Sequence, residues 1–180
     1  MIATSENIGK GRVRLQLYLK PEGGPKLLFT AMDACGRPVY EVHGEYSSFG
    51  SRYVMREPEG ETVARLAGVF LPGVSRYAAT SGDRSVRIWI KPDAARRAVQ
   101  FKGQDWRFRG SVITRSFDIV EKHKNGEPTV VMTHGRCWNG RNDCYAVSVP
   151  HEADVPLALC VAVAVDCAVI GGCAAPAPAG

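Results

Sequence analysis

The chain has 180 residues, is 45% hydrophobic and 23% charged, and carries a formal net charge of +5. That balance excludes a disordered chain, and the length suffices for one domain with a substantial core. The mild positive excess suits an anionic partner, nucleic acid or a lipid headgroup, without choosing between them.

The first stretch, "MIATSENIGKGRVRL", has no apolar run behind a basic start, unlike a secretory leader. The expected compartment is therefore the cytoplasm, with the six cysteines as thiols. No two of them form a C-x-x-C pair, so neither a zinc knuckle nor a thioredoxin-type centre is indicated. Residues 1–11 read as a short extension.

From residue 12 the sequence alternates. In "RVRLQLYLK", Val13, Leu15, Leu17 and Leu19 fall on one face, with Arg12, Arg14, Gln16, Tyr18 and Lys20 on the other. This is the period of a strand buried on one side. "EGGP" (22–25) supplies a turn before "KLLFTAM", "DACGRP" (33–38) precedes "VYEVHG", and "REPEGE" (56–61) precedes "TVARLAG". In "SVRIWIK", Val86, Ile88 and Ile90 oppose Arg87, Trp89 and Lys91. In "WRFR", Trp106 and Phe108 oppose Arg107 and Arg109. Twelve such segments begin near residues 12, 26, 38, 48, 62, 74, 85, 97, 104, 115, 129 and 143, which predicts an all-β sandwich or barrel.

A faint repeat of roughly 66 to 72 residues runs through these segments. "YEVHGEYSSFGSRYVM" aligns with "WRFRGSVITRSFDIVE", placing Gly44 over Gly110. "ARLAGVFLPGVSRY" aligns with "VMTHGRCWNGRNDCY", placing Gly68 over Gly135 and Gly73 over Gly140. The strands therefore divide into two sets of six, with glycines at bends or bulges.

The pattern then changes. "HEADVPLALCVAVAVDCAVIGG" has Asp154 placed as an N-cap, Pro156 in the first turn, and Gly171 and Gly172 as a stop, which predicts a helix over about 154–171. No face of it is polar, so it must be buried all round. It is short for a membrane span, and Asp166 interrupts it. A twelve-strand barrel has a bore too wide for its own side chains to fill, and one apolar helix down the axis would fill it. The expected fold is a closed twelve-stranded barrel threaded by this helix, a single domain over 12–172, with an Ala/Pro tail at 173–180.

The terminal "LALCVAVAVDCAVI" and the units "YEVHGEYSSFGSRY", "VARLAGVFLPGVSRY" and "WRFRGSVITRSFDI" resemble the LURP-one-related family. That family belongs to the tubby C-terminal-like superfamily, with the tubby proteins and the phospholipid scramblases. The resemblance covers roughly residues 12–171 and implies the barrel with its threaded helix. Tubby proteins bind phosphatidylinositol bisphosphate on the barrel wall, and scramblases are associated with lipid transfer between leaflets. The tubby lipid-binding residues match no motif here.

Asp166 reads as a structural residue bonded to backbone N–H groups or to a barrel arginine, because a buried carboxylate needs such a partner. His134, Cys137, Cys144 and His151 lack the paired spacing of a zinc site, so no metal and no cofactor is expected. Neither a nucleophile elbow nor a phosphate-binding glycine loop is present, which argues against an enzyme. The functional lead is the outward basic set Arg12, Arg14, Lys20, Arg87, Lys91, Arg107 and Arg109. These residues are candidate contacts for an anionic phospholipid headgroup at a membrane surface, or for a protein partner. One alternative is a scramblase-like protein anchored by the terminal helix. Another is a nucleic-acid-binding barrel, which is disfavoured because Trp106 and Phe108 face away from Arg107 and Arg109.

Overall fold

The structure is a computed structural model describing residues 15–24, 26–45, 50–91, 98–137, 144–151 and 154–170. Twelve strands are followed by one helix. The strands are β1 Leu15–Pro21, β2 Leu27–Met32, β3 Pro38–Glu45, β4 Ser51–Arg56, β5 Thr62–Leu71 and β6 Val74–Ser81, then β7 Arg84–Ile90, β8 Val99–Lys102, β9 Trp106–Ser111, β10 Ser116–Glu121, β11 Thr129–Arg136 and β12 Tyr145–Val149; the helix is α1, Val155–Ile170. Each strand begins within three residues of its expected start, because turn chemistry and alternation agree along the chain.

All twelve strands form one antiparallel sheet in the order β8-β7-β6-β5-β4-β3-β2-β1-β12-β11-β10-β9. Pairing of β1 with β12, Leu17 opposite Val147, joins the two halves of the meander. The sheet then curls until its edge strands β8 and β9 touch, and Phe101 of β8 meets Trp106 of β9 edge to face at 6.0 Å. The barrel is therefore nearly closed, with a seam rather than a ladder between these two strands among the described residues. The sequence repeat maps β3–β6 onto β9–β12, six strands further on.

Alternation sends one face of every strand inward. Leu17, Leu19, Val86, Ile88, Ile90 and Trp106 are buried, whereas Arg87, Arg107 and Arg109 are exposed. Gly68 and Gly110 are among the glycines that serve close approach. A Cβ at Gly68 would stand 2.7 Å from the ring of Tyr77 on the neighbouring strand. Gly110 has φ +126°, and a Cβ there would stand 2.4 Å from the Ser116 carbonyl oxygen.

Apart from Pro156, the helix is buried continuously from Val155 to Cys167. It packs on β5, β6 and β7 on one side and on β11 and β12 on the opposite wall, so it threads the bore. The large–small alternation of this segment is also compatible with a strand. A strand is ruled out by hydrogen bonding: the wall strands bond to one another, so a segment on the axis must satisfy its own backbone, and only a helix does that. The gap between α1 and β3–β5, lined by Val42, Tyr53, Met55, Leu66, Cys160 and Val163, is apolar and too tight for water.

Ion pairs hold both ends of the helix. The antiparallel meander puts the β6–β7 turn and the helix N-terminus at one end, here the lower. The β9–β10 turn and the helix C-terminus lie at the upper end. At the lower end, Arg84 Nη1 donates to Asp154 Oδ1 at 2.5 Å, in front of the first helical turn. At the upper end, Arg115 meets Asp166.

Candidate functional site

Two polar assemblies stand out, one inside the barrel and one on its wall. Inside, Asp166 is 3% exposed, and its Oδ1 lies 2.8 Å from Arg115 Nη1. Among the described residues neither carboxylate oxygen accepts a well-aligned hydrogen bond, so the contact with Arg115 is an ion pair. Burial pushes the Asp166 carboxyl above the usual carboxylate range, and the Arg115 guanidinium opposes that shift. Arg115 sits in the β9–β10 turn with φ +56°, a left-handed conformation costing about 1 kcal/mol for a residue with a Cβ. That conformation turns its side chain toward the bore, where it also donates to the Tyr145 hydroxyl and lies 5.5 Å from the Tyr145 ring centroid.

The same turn is held from below by His134, whose Nδ1 is 2.7 Å from the Arg115 carbonyl oxygen. His134 stacks between Phe117 (4.6 Å) and Tyr145 (4.9 Å), and Phe108 continues the stack at 4.8 Å from Phe117. Burial drives the His134 pKa down to about 4; the positive Arg115 side chain acts in the same direction, and the carbonyl bond opposes it. The neutral imidazole therefore carries its proton on Nδ1 and donates to that carbonyl. This assembly fixes the helix rather than presenting reactive groups to solvent.

His134 is thereby withdrawn from the four-residue zinc set. His151 lies past the lower end of β12, whereas Cys137 and Cys144 flank the upper β11–β12 connection. Among the described residues no group of three or more His, Cys, Asp or Glu side chains could hold a metal.

The outer assembly lies on β6, β7 and β8. Register places Arg87 opposite Lys102, and Trp89 between Arg76 and Gln100. Arg87, Trp89 and Lys91 alternate outward along β7 and its end. Arg76, Arg87, Lys91 and Lys102 are exposed, none makes an ion pair among the described residues, and no Asp or Glu occurs within β6, β7 or β8. Leu71, 42% exposed, stands at the β5–β6 turn on the upper rim beside this face.

The expected basic set is only partly brought together. Arg87 and Lys91 lie within this patch, and Arg107 and Arg109 stand across the seam on β9, with Asp118 opposite Arg109. Lys20 is on the far side of the barrel and bonded to Glu22 at 3.0 Å. Arg12 and Arg14 lie outside the described residues. Arg76 and Lys102 were not anticipated, although Tyr77 and Ala79 alternating inward in "SRYAAT" already point Arg76 outward. What was missing was the cross-strand register.

A nearly closed twelve-strand barrel around an apolar C-terminal helix defines the class of this protein. The model of the LURP-one-related family matches residues 24–166, and the chain belongs to that family. It is 22% identical over 139 residues to the uncharacterized protein YxjI of Bacillus subtilis (strain 168), covering 77% of this chain and 83% of that one. A crystal structure of a protein from Arabidopsis thaliana shares the fold, with a TM-score of 0.54 and 15% identity over 85% of this chain and 90% of that chain. No helix among the described residues is long and apolar enough to cross a membrane. Because α1 is enclosed by the barrel, it is not available as the anchor that the scramblase-like alternative requires.

Proposed function

We propose that this protein is a non-catalytic binding barrel whose β6–β8 face docks on anionic phospholipid headgroups. The observation that carries the reading is Arg76, Arg87, Lys91 and Lys102 gathered on the outer face of three neighbouring strands, β6 to β8, that themselves hold no Asp or Glu. Cations that make no ion pair among the described residues attract phosphate. Trp89, half-buried among them, and Leu71 on the rim supply the amphipathic contact that a headgroup layer accepts. Four basic residues at ~1 kcal/mol each contribute about 4 kcal/mol, roughly a thousandfold in partitioning toward an anionic surface. The resemblance to tubby-type barrels, which hold phosphoinositides on the wall, supports the class of ligand and does not select the face.

Co-sedimentation tests this reading, using vesicles of phosphatidylcholine alone or mixed with phosphatidylserine or a phosphoinositide. Binding should require the anionic lipid, weaken with salt, and fall at least tenfold in Arg76→Glu/Arg87→Glu. Lys20→Gln, on β1 at the far side of the barrel, should bind like the unaltered protein. Equal binding to neutral and anionic vesicles, or none at low salt, would overturn the assignment.

A further inference from the structure

The β11–β12 hairpin brings two cysteines together at its mouth. Arg136 pairs with Tyr145, so the next residues outward, Cys137 and Cys144, stand directly opposite each other; Cys137 N donates to Cys144 O at 3.0 Å. In such a hydrogen-bonded antiparallel pair the Cα atoms are about 5.5 Å apart, inside the window a disulfide spans. Both side chains are half-buried and free, and the Cys137 thiol hydrogen-bonds to Cys144. Cys35 is exposed without such a neighbour on its turn, and Cys160 is sealed inside the helix core.

We propose that Cys137 and Cys144 form a dithiol–disulfide site that takes a peroxide as oxidant and closes the connection 138–143 at its base. Burial and the contact with Cys144 push the Cys137 thiol up to about 12, which suits Cys137 to the resolving rather than the attacking role. The Cys144 thiolate attacks hydrogen peroxide. An S–O bond forms, the O–O bond breaks, and the released hydroxide takes up a proton as water. The Cys137 sulfur, losing its proton, then attacks the Cys144 sulfenic acid. The S–S bond forms, the S–O bond breaks, and a second water leaves. Two thiols are oxidised and one peroxide is reduced to two waters. The link stands one residue beyond Tyr145, at the end of the barrel where that side chain receives Arg115.

The test uses the full chain carrying Cys35→Ser and Cys173→Ser, which removes the cysteine exposed among the described residues and the one outside them, treated with hydrogen peroxide. Thiol titration under denaturing conditions should fall by two, and peptide mapping should find Cys137 joined to Cys144. Melting should rise by about 5 °C and return with reductant, as closing a short loop predicts. Cys137→Ser and Cys144→Ser, each checked for the native near-UV spectrum, should form no intramolecular link and show no rise. Loss of thiols without a Cys137–Cys144 peptide, or an unchanged thiol count at a peroxide dose that oxidises Cys35 in the unaltered chain, would overturn the site.

Discussion

Stability should decline with acid through His134. In the folded barrel the ring is buried between Phe117 and Tyr145 and ionises near pH 4, against 6.5 in the unfolded chain. A depressed histidine means that the unfolded state binds the extra proton first. Its contribution is complete above pH 6.5 and is lost as pH falls toward 4. The interval from 6.5 to about 4, at ~1.4 kcal/mol per pH unit, amounts to about 3 kcal/mol. Asp166 runs the other way: its raised pKa makes the folded state the better proton binder, favouring folding as pH falls. Comparison with His134→Phe isolates the histidine, because Asp166 is common to both proteins and a phenyl ring can keep the stack. The variant loses the bond to the Arg115 carbonyl, about 1 kcal/mol at pH 7. Urea unfolding at intervals from pH 7 to 4 should show the unaltered protein losing about 3 kcal/mol more than the variant. Parallel curves would mean that His134 is not buried in neutral form.

Two further substitutions probe the frame. Asp166→Ala leaves the Arg115 guanidinium uncompensated at the helix C-terminus and should cost about 3 kcal/mol, with Asp166→Asn milder; a loss below about 1 kcal/mol in urea unfolding would make the pair dispensable. Gly110→Ala forces a Cβ to 2.4 Å from Ser116 O and 2.6 Å from Phe117 Cα at φ +126°, so it should cost about 3 kcal/mol. An unchanged urea midpoint would refute that.

Most of the barrel was legible because alternation, turn residues and the apolar segment are local signals. Leu17, Leu19, Val86, Ile88 and Ile90 are buried as the two-residue period requires. The helix, too, could be read from Pro156 in its first turn and its lack of a polar face, whereas Gly171 and Gly172, read as its stop, lie outside the described residues. What local patterns do not carry is adjacency across strands. That Arg76 flanks Trp89, or that Lys102 faces Arg87, depends on hairpin register, which one residue of slip would reverse. The partner of Asp166 was hidden for a different reason. Arg115 lies 51 positions earlier, in a turn, and reaches the bore only through a left-handed backbone that nothing in "VITRSF" announces. Cys137 and Cys144, six residues apart in between, fit no ligand spacing and gain meaning only as opposite rungs of a hairpin.

The order of the parts along the chain has a consequence for biosynthesis. Translation delivers all twelve staves before the rod they enclose, since α1 follows β12. At roughly 5–20 residues per second, the first strand waits about ten seconds or more before the ribosome has made the segment it must close upon. Until then the inward rows of Leu, Ile and Val have only one another, and the nascent chain is a sticky, open ribbon. Closure of this barrel around its axis therefore comes late, only once residue 170 has been made.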